Sequence, residues 1–185
     1  MTHIKRTLKL AFLSPNEQDP AFNKLVARLS KHPMCHVELV FEDEMAFSIF
    51  KGSKLFFKKR SFSNPDYKLV CLSVSNAEYQ GAYAFCKQST EHGLDFTDWG
   101  MLGSYFQIQT CPFLCSSPSS ATGSTFCSKI VTEALQFAGV GEVDHLHPCT
   151  TSPSVLFEAV KDSERVVTDS VPFKQQQLFM VGVLR

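Results

Sequence analysis

Residues 123–135, GSTFCSKIVTEAL, join a run of small polar residues to the most clearly amphipathic stretch of the chain. Apolar side chains recur on one face and a glycine follows, so we predict a helix over residues 125–138. If Ser124 or Thr125 caps this helix, Cys127 lies in its first turn. The free amides and the dipole of that turn favour an anion, and therefore a nucleophilic thiolate. The alternative is that Cys127 is a small buried side chain that packs the helix into the core.

The bulk composition limits the classes of protein to consider. The chain has 185 residues, of which 44% are hydrophobic and 19% are charged, and its formal net charge is zero. This length and composition are typical of one globular domain, which we expect to cover residues 1–185. A neutral charge balance provides no field for nucleic acid, so no nucleic-acid partner is expected. The short basic cluster at residues 58–60 is interpreted as a strand end.

The cysteines and the apolar runs indicate a compartment. There are seven cysteines, an odd number, and several lie in apolar stretches. We recognise no secretory leader, and no apolar run approaches the roughly 20 residues that span a bilayer. We therefore expect free thiols, a reducing and cytoplasmic location, and no stable membrane span.

One set of cysteines and histidines has ligand types that suit zinc: Cys111, Cys115, His145, His147 and Cys149. Their spacing matches no common zinc module, and the first two lie in a loop rich in serine and proline. We expect neither a metal nor a cofactor.

The secondary structure follows from the period of the apolar residues. Strands are predicted over residues 6–14, 35–41, 45–50, 54–62, 67–75, 164–169 and 176–185. Helices are predicted over residues 21–32, 76–90, 125–138 and 153–162, with Ser152 as a cap for the last. Residues 91–109 and 110–124 are predicted to be irregular. The pattern indicates the α+β class, with a mostly antiparallel sheet packed against helices.

A base for Cys127 is sought among the six histidines. His36 starts a predicted strand whose alternation puts His36, Glu38 and Val40 on one face. An ionisable pair at the start of an otherwise apolar strand is a local conflict, and such conflicts tend to mark function. The alternative is the polar face of an edge strand in water.

Three segments in this order carry a resemblance: HVELVFEDEMAFSIF (36–50), TFCSKIVTEALQFAGV (125–140) and SPSVLFEAV (152–160). Together they resemble the circularly permuted papain-like cysteine hydrolases of the NlpC-peptidase superfamily, in which the histidine strand precedes the cysteine helix. The match covers residues 7–161. The family includes bacterial lipoprotein-type hydrolases and proteins of large DNA viruses, and lecithin:retinol acyltransferase is a cousin. The resemblance implies an NlpC-like fold with its nucleophile at a helix N-terminus, and a viral protein among the possible sources.

The resemblance also implies roles for residues. Cys127 would be the nucleophile and His36 the general base. A third polar residue should orient the imidazole, and the matching position is Ser48. Glu38 is its rival, since it lies on the same face as His36. Two further residues stay open as oxyanion or orienting donors: Gln107 and Gln109.

The function that the resemblance implies is a thiol-dependent peptidase or amidase without a cofactor. Its substrate would be a protein or peptide, including an isopeptide bond to a ubiquitin-like tag. Two alternatives stay open: an acyltransferase or thioesterase on lipid substrates with the same dyad, and a non-catalytic binding module. Residues 94–103, LDFTDWGMLG, either pack as an aromatic plug over the core or form one wall of a substrate cleft.

Overall fold

A five-stranded sheet forms the centre of the molecule. The computed structural model describes residues 4–16, 24–25, 28, 32–91, 93–105 and 124–167. The strands are β1 (Lys5–Leu13), β2 (His36–Val40), β3 (Met45–Ser48), β4 (Phe56–Lys59) and β5 (Tyr67–Ser75). Their order across the sheet is β4-β3-β2-β1-β5, and every neighbouring pair is antiparallel.

Helices of the described ranges complete an α+β fold, which confirms the predicted class. They are α1 (Asn76–Glu91), α2 (Asp98–Tyr105), α3 (Cys127–Phe137) and α4 (Pro153–Val160), with 3-10 turns at Gly141–Val143 and Pro148–Thr150. The predicted cap of α4 is confirmed, because the Ser152 hydroxyl accepts a hydrogen bond from the Val155 amide. The predicted stop of α3 is also confirmed: Gly139 has a φ of +77°, which favours glycine.

The two faces of the sheet have different neighbours. One face carries the large core cluster, in which Leu10, Leu39 and Phe47 pack with buried residues of α1 and α3. The other face carries a small cluster: Ala11, Val40, Ala46 and Phe62. Side chains alternate between the faces of a strand, so Glu38 and His36 fall on the same side of β2 as Val40.

Two expectations about the chain before α3 are wrong. Residues 91–109 were expected to be irregular, but they contain β6 (Asp95–Phe96) and α2. Neither Ser124 nor Thr125 caps α3; they form β7 (Ser124–Thr125), which pairs in parallel with β6. Phe126 is the N-cap, and it makes no side-chain cap hydrogen bond. The buried Phe126 ring and the backbone pairing of β7 hold this helix end in place of a polar cap.

Several predicted elements lie wholly or mostly outside the described residues: the helix over 21–32, the loop over 110–124 and the strand over 176–185. The strand predicted over 164–169 is reduced, within its described part, to one bridge between Leu72 and Val166. None of the helices in the described ranges combines the length and the apolar content needed to cross a bilayer.

Candidate active site

Cys127 and His36 meet where a helix and a strand both begin. Cys127 is the first residue of α3, and His36 is the first residue of β2. The thiol lies close enough to the imidazole to act on the protonation of the ring. Both side chains are buried: Cys127 exposes none of its surface and His36 exposes 6%. The structure therefore brings together the two residues that the sequence suggested as nucleophile and base.

Backbone hydrogen bonds of the short β6–β7 sheet hold the start of α3 next to His36. The Thr97 amide donates to the Thr125 carbonyl at 2.9 Å, next to the β6–β7 pairing. The Leu55 amide donates to the Leu94 carbonyl at 3.0 Å. The residue before β6 is therefore bonded to the chain that enters β4, and the residue after β6 is bonded to β7, which leads into Cys127. These two bonds connect the start of α3 to the main sheet.

The position of Cys127 within α3 suits a nucleophile. The first helical hydrogen bond runs from the Ile130 amide to the Phe126 carbonyl at 3.1 Å. The amides of residues 127–129 therefore precede the hydrogen-bond ladder of the helix, where free N–H groups favour an anion. Such amides can stabilise both a thiolate and the oxyanion of an acyl-transfer intermediate.

The electrostatic surroundings of His36 favour the imidazolium. Burial by itself lowers the pKa of His36, because it disfavours the charged ring. The charge and hydrogen bond of Cys127, followed by those of Glu38, act in the opposite direction and raise this pKa to about 9. A protonated ring beside a thiol is the arrangement that supports a thiolate–imidazolium pair.

Glu38 and Ser48, the two candidates for orienting His36, make different contacts. Glu38 is fully buried, and its Oε1 lies 3.7 Å from Nε2 of His36. Ser48 is also fully buried, but its hydroxyl donates to the Val37 carbonyl at 2.6 Å. The structure thus brings the carboxylate of Glu38 towards the ring, whereas the hydroxyl of Ser48 joins β3 to the backbone of β2.

An aromatic stack covers the other side of His36. The Phe50 ring lies 4.3 Å from the imidazole with an interplanar angle of 21°, and Phe56 stacks on Phe50 at 5.4 Å. The guanidinium of Arg60 lies 5.0 Å from the centre of the Phe50 ring. Stacking of this kind fixes the plane of the imidazole while it keeps water away from one face.

Tyr67 and Arg60 were not singled out from the sequence as site residues. The Tyr67 hydroxyl donates to Oε1 of Glu38 at 2.9 Å, and Nε of Arg60 lies 3.0 Å from Oε2. A buried carboxylate at position 38 requires donors, and this requirement is the signal available in the sequence. Tyr67 as the donor and Arg60 as the ion-pair partner are identified only once the strand register is known.

Residues 94–103 pack onto the core beside the cysteine. Leu94 and Met101 are buried in the large core cluster. A Cβ atom on Gly100 would lie 2.5 Å from Cγ2 of Thr97 and 3.1 Å from Cδ1 of Phe126. The absence of a side chain at Gly100 therefore lets α2 approach the residue that immediately precedes Cys127.

The remaining candidate residues are the glutamines considered as donors and the cysteines and histidines considered as zinc ligands. Gln107, Gln109, Cys111 and Cys115 lie outside the described residues. Within the described ranges, no group of three or more histidine, cysteine, aspartate or glutamate residues could hold a metal ion. The described cysteines are buried: Cys35, Cys71, Cys86, Cys127 and Cys149.

Comparison of this chain with family models, with curated proteins and with solved structures finds no match.

Proposed function

We propose that this chain is a thiol-dependent hydrolase of amide bonds, with Cys127 as nucleophile and His36 as general base. The observation that carries the proposal is the proximity of the His36 imidazole to the Cys127 thiol, which acts on the protonation of the ring. The two residues come from distant parts of the sequence and from different elements, so no local constraint requires them to meet. Their proximity at a helix N-terminus supports a nucleophile and its base.

The order of the elements supports a circularly permuted papain-like fold. The strand that begins with His36 precedes the helix that begins with Cys127, and the sheet between them is antiparallel. This is the order that the resemblance to the NlpC-peptidase superfamily implies. Under this proposal, Glu38 is the third group, because its carboxylate approaches Nε2 of His36.

The proposed reaction has two halves. His36 takes the proton of Cys127, and the thiolate attacks the carbonyl carbon of the scissile amide while backbone amides at the start of α3 bind the oxyanion. The imidazolium then protonates the leaving amine, and the C–N bond breaks to leave a thioester on Cys127. Water, deprotonated by His36, attacks the thioester, and the thiol is released with a proton from the ring.

The burial of Cys127 adds a requirement. Its side chain exposes no surface, so a substrate carbonyl reaches the sulfur only when the chain that covers it moves. Closing or opening of this kind is common at enzyme sites, where it excludes competing water. We therefore expect small electrophiles to reach Cys127 before bulky ones do.

A second candidate function is transfer or hydrolysis of a lipid acyl group by the same dyad. The observation that favours it is the aromatic stack of Phe50 and Phe56 beside His36, which provides an apolar surface next to the reacting atoms. An acyl thioester or ester would react at Cys127 through the same intermediate as an amide.

A substrate panel tests the proposal. The chain and its Cys127→Ala variant are incubated with a quenched peptide library, with fusions to ubiquitin-like proteins and with long-chain acyl esters. Cys86→Ala is the matched control, because Cys86 is also fully buried. Hydrolysis of a peptide or fusion that Cys127→Ala abolishes and Cys86→Ala retains supports the amide hydrolase. Turnover of acyl esters alone supports the lipid alternative, and equal turnover by parent and Cys127→Ala rejects both.

A further inference from the structure

A network of three side chains lies next to His36, on the face of the sheet that carries the small cluster of Ala11, Val40, Ala46 and Phe62. The two oxygens of the buried Glu38 carboxylate have different neighbours: Tyr67 donates a hydrogen bond to Oε1 at 2.9 Å, and Nε of Arg60 forms an ion pair with Oε2 at 3.0 Å without hydrogen-bond geometry. The same Oε1 is the atom that lies 3.7 Å from Nε2 of His36. The carboxylate is therefore fixed from two sides, with its remaining approach directed towards the imidazole.

The strand register explains how Tyr67 reaches Glu38 from two strands away. Leu13 of β1 pairs with both Tyr67 of β5 and His36 of β2, so these three residues share one row across the sheet. Ala11 of β1 pairs with Glu38 of β2, so these two residues lie in the next row on the same face. Ala11 is buried in the small cluster against which Tyr67 packs, and its side chain is only a methyl group.

Arg60 also lies against three aromatic rings. Its guanidinium lies 5.0 Å from the centre of Phe50, 5.7 Å from Phe56 and 5.8 Å from Phe62. Phe62 in turn packs edge-on against Tyr67 at 5.1 Å. Phe62 thus joins Arg60 to Tyr67 through one aromatic contact; Phe62 is a member of the small cluster, and Tyr67 packs against it. Cation–π contacts of this kind restrict a guanidinium that is only partly exposed.

We infer that Tyr67 and Arg60 are positioning residues for His36, and that they act through Glu38. This inference rests on the proposed function for its catalytic meaning, although the arrangement itself is a property of the folded chain. Four groups face the imidazole or its carboxylate neighbour: the Cys127 thiol, Glu38, Tyr67 and Arg60. Burial and the nearby Glu38 charge raise the pKa of Tyr67, so its hydroxyl stays a donor at ordinary pH.

The chain contains a similar cluster that serves as an internal control. Nε of Arg6 donates to Oε2 of Glu42 at 2.7 Å, and the Arg6 guanidinium lies 4.1 Å above the Tyr79 ring. The Tyr79 hydroxyl accepts from the Glu42 amide at 3.1 Å. Because this second cluster also combines an arginine, a glutamate and a tyrosine, Tyr79→Phe and Arg6→Gln control for the general cost of such substitutions.

The experiment measures how strongly Glu38 acts on His36 in different backgrounds. The pKa of His36 is followed by NMR of the imidazole ring, with and without Glu38→Gln, in the parent, Tyr67→Phe, Arg60→Gln, Tyr79→Phe and Arg6→Gln proteins. Glu38→Gln lowers the pKa in the parent, because the carboxylate charge raises it. We expect this drop to shrink by at least about half in Tyr67→Phe and in Arg60→Gln, and to stay unchanged in the two controls.

Equal drops in all five backgrounds would overturn the inference. If Tyr67→Phe does not fold, Arg60→Lys tests the same point, because it keeps the charge and loses the rigid guanidinium. The readout requires no turnover, so it is separable from the proposed function. An unreactive Cys127 with a reduced drop in Tyr67→Phe would reject the hydrolase and support the positioning network. A reactive Cys127, with the same fall in the His36 pKa on Glu38→Gln in every background, would support the hydrolase and reject the positioning network.

Discussion

Nε2 of His36 lies 3.7 Å from Oε1 of Glu38, the carboxylate two residues further along the same strand. Residues i and i+2 of a strand share a face, so this pair is a direct consequence of the extended backbone of β2. Ser48 lies on the neighbouring strand β3, and its hydroxyl is taken up by the Val37 carbonyl. Substitution of Glu38 and substitution of Ser48 should therefore have different effects on the pKa of His36.

Glu38→Gln should lower the pKa of His36 from about 9, whereas Ser48→Ala should leave it unchanged. The reason is that the negative charge of Glu38 stabilises the imidazolium, whereas the Ser48 hydroxyl donates its hydrogen bond to the Val37 carbonyl and not to the ring. Ser48→Ala should cost about 1 kcal/mol of unfolding free energy, since it leaves a buried carbonyl without its donor. NMR titration and urea unfolding measure the two effects. A fall in the His36 pKa in Ser48→Ala as large as that in Glu38→Gln would assign the orienting role to Ser48.

Gly100→Ala should disturb the start of α3 without touching His36. The added Cβ atom meets Thr97 at 2.5 Å and the Phe126 ring at 3.1 Å, so either α2 or Phe126 has to move. We expect a loss of roughly 1–3 kcal/mol of unfolding free energy and a slower reaction of Cys127 with electrophiles. Gly141→Ala is the matched control, because its Cβ atom would meet only Asp144, at 3.9 Å. Equal stability of the two variants would show that α2 and Phe126 are not closely packed at Gly100.

Glu133 should make stability depend on pH in the acidic range. Burial raises the pKa of Glu133 from 4.5 to about 7, although Lys129 acts in the opposite direction. The folded chain therefore binds a proton between pH 7 and 4.5 that the unfolded chain does not yet bind. Its unfolding free energy should rise, relative to that of Glu133→Gln, by up to about 3 kcal/mol as the pH falls through this window. Urea unfolding at pH 8 and pH 5 measures the change, and an identical difference at both values would contradict it.

Phe50→Leu should slow the reaction of Cys127 more than it destabilises the fold. Leucine keeps an apolar side chain at this position but removes the ring that stacks on His36 at 4.3 Å. The cost in unfolding free energy should be below about 1.5 kcal/mol, and the alkylation rate of Cys127 should fall several-fold because the imidazole is less restricted. Phe57→Leu is the control, since Phe57 makes edge contacts with Phe41 and Phe47 instead. Equal rates in the two variants would show that the stack does not matter.

The strands and long helices could be predicted from the sequence because their patterns are local. The strand predicted over 67–75 coincides with β5, and the helix predicted over 76–90 ends one residue before α1 does. The α2 helix was missed because glycines at 100 and 103 interrupt its pattern, and its packing against Phe126 overrides that weak propensity. The cap of α3 was wrong because pairing of β7 with β6, a non-local contact, decides the backbone there.

The candidate site divides in the same way. Cys127 and His36 each have a local signal, a helix start for one and a polar position in an apolar strand for the other, but it is the order of the segments that resemble the NlpC-peptidase superfamily that suggests them as a pair. Tyr67, Arg60 and Phe50 lack such a signal, since their roles depend on strand pairing and on how residues 60–67 cross the sheet. Strand register is a tertiary property, and one sequence without a fold does not provide it.

The alkylation rate of Cys127 relative to that of Cys86 measures whether His36 activates the thiol. Both side chains are fully buried, but burial raises the pKa of Cys86, and Cys127 has an imidazole neighbour. Iodoacetamide labelling at pH 7, resolved by peptide mass spectrometry, should show Cys127 reacting at least about tenfold faster than Cys86. His36→Gln should remove that advantage and leave the Cys86 rate unchanged. Equal rates for the two cysteines, or a fast Cys127 that is indifferent to His36→Gln, would contradict the account.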